Sequence, residues 1–138
     1  MKNCLIIISG LILCLTITNC YGQNVNIPDA NFKAYLVGNI DINTNGDSEI
    51  QVSEANAFSG SIYCGELYNP DFSEDMSISD LTGIEEFTAL TELDCGGHQL
   101  TSLDVSMNTA LTGLACGGNQ LTSLDVSKNT ALTELECG

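Results

Sequence analysis

Leucines return along the last third of the chain at a fixed interval, with polar residues between them. Leu90, Leu93, Leu100 and Leu103 are followed 21 residues later by Leu111, Leu114, Leu121 and Leu124. The text LTELDCGGHQLTSLDVSMNTA of Leu90–Ala110 recurs as LTGLACGGNQLTSLDVSKNTA in Leu111–Ala131, and a third copy, LTELECG, runs from Leu132 to Gly138. A period of this length marks a stacked solenoid. One unit cannot bury its apolar side alone, so each must pack on a neighbour. Alternation within the unit predicts a short strand, with Leu93 and Cys95 inward and Glu92, Asp94 and Gly96 outward. Ile62 and Cys64 repeat that alternation, so Ser61–Gly65 is the expected first strand. Cys64 and Cys95 lie 31 residues apart, ten more than the repeat. The excess is assigned to Tyr68–Ser77 (YNPDFSEDMS), a polar, acidic loop. Ile78, Leu81, Ile84, Phe87 and Leu90 then recur every third residue, which predicts a tight return turn with one buried side.

Ahead of the repeats the pattern is helical. In NVNIPDANFKAYLVGN, Phe32, Leu36 and Ile40 are spaced four apart and Tyr35 widens the apolar face. Pro28 and Asp29 suit a first turn, and Gly38-Asn39 a stop, which predicts a helix from Asp29 to Val37. The following segment, DINTNGDSEIQVSEANAF, has the spacing of an EF-hand calcium loop. Asn43, Asn45, Asp47 and Glu49 would stand at its first, third, fifth and seventh positions, Ile50 at the apolar eighth and Glu54 at the twelfth. Calcium takes six to eight oxygens, two of them from a final glutamate. A second short helix from Ser53, its expected N-cap, to Phe58 would complete the hairpin. Two departures count against metal: Asn43 stands where an aspartate is usual, and Ser48 where a glycine makes the sharp turn. The competing reading is a helical hairpin that covers the apolar end of the solenoid, with its Asn, Asp and Gly residues forming turns.

The first stretch changes the compartment. Lys2 precedes the apolar run Leu5–Ile17, and Cys20-Tyr21-Gly22 offers small residues for a peptidase, so residues 1–22 read as a secretory signal. The run is short for a retained membrane helix. Cys20 as a lipid acceptor is a second possibility, with Asn19 where a small residue is expected. Three lysines and no arginine oppose eighteen carboxylates, for a formal charge of −15. Phosphate repels such a chain, so nucleic acid and anionic membrane are poor partners; cations and basic surfaces are better ones. Of seven cysteines, four lie beyond the signal: Cys64, Cys95, Cys116 and Cys137. Export with four cysteines invites disulfides. The last three share one repeat phase, however, and would stack as an inward column on parallel strands, a poor geometry for bridging. Buried free thiols are the favoured reading.

LxxLxCxxNxLxxLxVxxN, legible in Leu111–Asn129, resembles the secreted bacterial leucine-rich repeat proteins, including the internalin-like group. IPDANFKAYL followed by INTNGDSEIQVSEA resembles the helical segment found ahead of such repeats. The resemblance implies a parallel β-face on one side of a curved solenoid, used in that family to bind other molecules. It also implies that an EF-hand-like shape in the cap is no dependable calcium site. His98 departs from the pattern, standing where Asn119 stands one repeat later. The asparagine there is expected to turn inward to backbone, and an imidazole can offer a donor and an acceptor to similar groups. His98 is thus expected as a substitute rung or a rim residue rather than a catalyst.

These expectations combine into an α/β repeat solenoid: a short leucine-rich array with a parallel β-face, capped by an N-terminal helical hairpin. Residues 1–22 form the signal, 23–60 the cap and 61–138 the array, its last repeat truncated. Two outward columns read Ser61, Glu92, Gly113, Glu134 and Tyr63, Asp94, Ala115, Glu136. The face is acidic at its edges, bare in the middle, and poor in the aromatic and arginine anchors of tight interfaces. Asp104 and Asp125 stack one repeat apart; a metal column is conceivable there, but capping of turn N–H groups through Ser106, Asn108, Ser127 and Asn129 is the favoured reading. No GxSxG, HExxH or phosphate-binding loop is present, and a lone histidine leaves most acid–base schemes short of parts. The expected function is non-catalytic: an exported module that binds a protein or another extracellular ligand. The alternatives are the N-terminal fragment of a longer array with a capping role, and a weak calcium-binding cap. Leu132, Leu135 and Cys137 would lie on an open end, which predicts self-association or marginal stability.

Overall fold

The computed structural model describes residues 22–65 and 76–138. The signal up to Tyr21, with Cys20, and most of the Tyr68–Ser77 loop lie outside the described residues.

Helix α1 spans Ala30–Gly38 and helix α2 Val52–Ala57. Strands β1 (Ser61–Tyr63), β2 (Glu92–Asp94), β3 (Gly113–Ala115) and β4 (Glu134–Glu136) form one parallel sheet in sequence order. Each strand contributes three residues, as expected where one repeat supplies one rung. The register is unslipped, with Ile62, Leu93, Leu114 and Leu135 side by side. Gly97 and Gly118 follow β2 and β3 at the same repeat phase, with φ of 78° and 69°. A side chain at either would strain this left-handed turn, which sends the chain away from the sheet.

Three sets of side chains tie successive rungs together. Thr91, Thr112 and Thr133 donate their hydroxyls to Gly60 O, Thr91 O and Thr112 O, each at 3.1 Å. Where the chain leaves the sheet, Asn119 donates to Cys95 O at 2.8 Å and Cys116 O at 3.0 Å, and its Oδ1 accepts from Leu100 N at 3.0 Å. In the return turns, Asn108 donates to Ile84 O and Phe87 O, and Asn129 to Val105 O and Asn108 O. Every repeat thus satisfies main-chain groups of the repeat before it.

His98 takes the place of Asn119 one rung earlier. It is buried; Nε2 bonds to Cys64 O, and Nδ1 accepts from Ile78 N at 3.3 Å. The donor is therefore on Nε2 and the lone pair on Nδ1. Ile78 is the counterpart of Leu100, because Gln99 N bonds Ile78 O as Gln120 N bonds Leu100 O. His98 thus closes the first rung across the inserted segment. The phase also corrects the insertion: most of the ten extra residues fall between Cys64 and Ile78, and the last belongs to the return turn. That turn holds a short 3-10 helix, Ile84–Glu86.

The helical segment shares the core of the array. Phe32 and Leu36 of α1 join Ile42, Ile50, Ile62, Ile84, Phe87, Leu90 and Leu93, all buried. Phe58 meets Phe87 edge-on, with centroids 6.2 Å apart. Asp29 caps α1 through Oδ1, which accepts from Asn31 N and Phe32 N, while Oδ2 accepts from Ser79 N and Oγ. One carboxylate therefore starts a helix and fixes the segment that re-enters the array. Ile40, expected on the apolar face of α1, lies beyond the helix and is 83% exposed. Ile42 fills the core instead, because the chain turns after Gly38. The N-cap of the second helix is Gln51 rather than Ser53; Glu54 Oε2 accepts from Gln51 N at 3.1 Å.

Candidate functional site

The sheet face is built from the outward residues of the four strands. The register places Ser61, Glu92, Gly113 and Glu134 in one column and Tyr63, Asp94, Ala115 and Glu136 in the other. Strands about 4.8 Å apart bring such columns into mutual reach. A shallow open trough of about 510 Å³ runs over them, bounded by Tyr63 and Glu92 at one side and Glu134 and Glu136 at the other. Tyr63 is half exposed. Its hydroxyl and that of Ser61 both donate to Glu92 Oε2. These two bonds hold the Glu92 carboxyl below the usual carboxylate range. Asp94 Oδ1 accepts from Gly96 N at 3.1 Å. On the outer edge of β1, Tyr63 N donates to the hydroxyl of Tyr35 from α1. This bond satisfies an edge donor that would otherwise face solvent.

Behind the face stand the cysteines. Cys64, Cys95 and Cys116 are buried and Cys137 is exposed; none forms a disulfide. The sequence placed Cys137 inward with the others, but beside β4, the last strand described, it is exposed. Burial, with some help from the Asp94 charge, pushes the Cys64 thiol up to about 12. Cys95 is raised by burial and by the thiols on either side of it. Such thiols are packing groups, not nucleophiles.

The calcium-like residues are spoken for by their own loop. Glu54 Oε1 accepts from Thr44 N, Thr44 Oγ1 and Asn45 N at 2.9–3.1 Å. Asn43 is buried and turned to main chain: its amide donates to Val37 O and Asp47 O, and its Oδ1 accepts from Gly46 N. Asn45 bonds Gln51 Oε1 and Asp47 N. Asp47 Oδ1 accepts from Glu49 N, and Glu49 pairs with Lys33 at 2.8 Å. Among the described residues no three His, Cys, Asp or Glu side chains are grouped to hold a metal ion. Asp104 and Asp125 accept from Ser106 N and Ser127 N, which with the serine hydroxyls lowers both carboxyls. No described helix is long and apolar enough to cross a membrane.

The sequence set Asn108 and Asn129 to cap turn N–H groups, but both donate to carbonyls of the preceding rung. The interlocks of Thr91 and Tyr35 were missed; Thr91 had a signal in its recurrence at period 21, and Tyr35 had none.

No protein-family model and no curated protein matches the chain. Solved structures do. The functional domain of InlJ from Listeria monocytogenes, which includes a cysteine ladder, is 36% identical; the match covers 85% of this chain and 24% of that one, with a TM-score of 0.65. The internalin InlF from the same organism is 23% identical over 78% of this chain and 29% of its own, with a TM-score of 0.56, and shows the fold. The chain spans about a quarter of the length of these relatives. With a 21-residue period, one strand per repeat and buried asparagines linking the rungs, the chain is an internalin-like leucine-rich repeat protein.

Proposed function

We propose that the sheet face is a non-catalytic binding surface for an extracellular protein or another ligand that presents basic groups, carried by an exported chain. The observation behind this is a parallel sheet face with no covering element among the described residues, its acidic rungs flanking the bare pair Gly113 and Ala115. Glu92, Asp94, Glu134 and Glu136 favour Lys or Arg across the trough, and complementary charge acts chiefly on encounter and orientation. The similarity to an InlJ domain supports the module reading. The apolar run behind Lys2 supports export.

The helical segment serves as the end-piece of the array. It covers the first rung and closes the β1 edge through Tyr35. Its loop is braced by amide donors on Glu54.

Gly113→Trp tests the surface. A Cβ at Gly113 meets only Glu92 Cγ, at an ordinary 3.5 Å, so the variant is expected to fold. Panning a displayed peptide library against the native chain should enrich basic sequences that the folded variant no longer retains. Enrichment that Gly113→Trp leaves intact would move the binding surface elsewhere.

A further inference from the structure

Asn108 and Asn129 stand one repeat apart in the return turns, 0% and 3% exposed. Each spends its side-chain NH2 on two main-chain carbonyls of the preceding rung. That fixes the amide orientation, since a flip would set Oδ1 against two carbonyl oxygens. Both Oδ1 atoms are then buried with no donor among the described residues. Asn119 shows the contrast, because its Oδ1 receives Leu100 N.

The imbalance follows from the side chain that the turn requires. Two carbonyls must be met from one short side chain, and asparagine is the smallest that offers two N–H donors. Its oxygen comes with them and needs a donor of its own. The Nδ2 of Asn129 cannot supply it, being committed to the main-chain oxygen of Asn108 and to Val105 O. A buried acceptor left unpaired is more costly than one hydrogen-bonded to an ordered molecule of water.

We propose that the return turns carry a hydration site in each repeat: an internal water that donates to Asn108 Oδ1, and a second that donates to Asn129 Oδ1. The ligand is water because a small neutral donor is what a buried amide oxygen accepts, and native proteins use internal water to satisfy such groups. The sites recur at the repeat period, so a longer array of the same text would hold one more with every added turn.

A crystal structure of the chain at atomic resolution, with water-selective NOE spectra of the labelled protein, tests this. Ordered water about 2.7–3.0 Å from both Oδ1 atoms, with water cross-peaks to the side-chain amides of Asn108 and Asn129, is the expected result. A dry contact at either oxygen, or amides that show no water cross-peak, overturns it.

Discussion

At the scale of single residues, one imidazole does the work of an asparagine. His98 gives a donor to Cys64 O and a lone pair to Ile78 N, the same exchange that Asn119 makes with Cys95 O and Leu100 N. His98→Asn should therefore stay close to native stability in chemical denaturation. His98→Ala should cost about 1–3 kcal/mol, since it strands two buried main-chain groups; equal midpoints for the native chain and the alanine variant would refute the role. Asp29 yields a pH dependence. Burial raises its carboxyl pKa, but bonds from Phe32, Ser79 and Asn31 outweigh that and leave it below the usual value. A depressed carboxyl stabilises the fold above its unfolded pKa of about 3.9, and the contribution is lost as pH falls through the lower, folded value. Asp29→Asn should weaken that acid dependence while keeping the cap, and Asp29→Ala should also reduce stability at neutral pH by about 1 kcal/mol, the typical worth of an N-cap. Unfolding followed across acid pH reads both.

At the scale of elements, the segment Asn43–Gln51 with α2 is organised by carboxylates that bond main-chain amides. Adding millimolar calcium or a chelator should leave the melting temperature unchanged, because a ligand of the folded state alone must raise it. A calcium-dependent rise would mean that the loop reopens around an ion. The repeats were the more legible half. A strict period of apolar residues fixes strand, phase and facing together, so Leu93, Cys95 and Leu114 could be oriented from text alone. The helical segment offers one copy of each signal. There Ile40 and Ile42 competed for the same core, and the winner depended on where the chain turned. The EF-hand spacing was legible too, but spacing does not say whether an oxygen faces an ion or an amide. Tyr35 on the edge of β1 was invisible because its partner is 28 residues away and main-chain.

At the scale of the molecule, the cysteine column runs from three buried thiols to an exposed one beside β4. Native-state thiol labelling should modify Cys137 at once and reach Cys64, Cys95 and Cys116 only on unfolding; equal reactivity of all four would contradict the packing. Burial raises these three inner thiols. They therefore stabilise the fold below the ordinary thiol pKa of about 8.5, and that contribution is lost as pH rises toward their folded values. The side-chain interlocks run from each rung to the one before it, through Thr133 and Thr112, Asn129 and Asn108, and Asn119. A load applied at the last rung would meet only the bonds to its immediate neighbour, then those of the next in turn. Under tension such a molecule behaves as a ratchet of equal teeth, yielding one repeat at a time, with about 70 Å of slack released at each step.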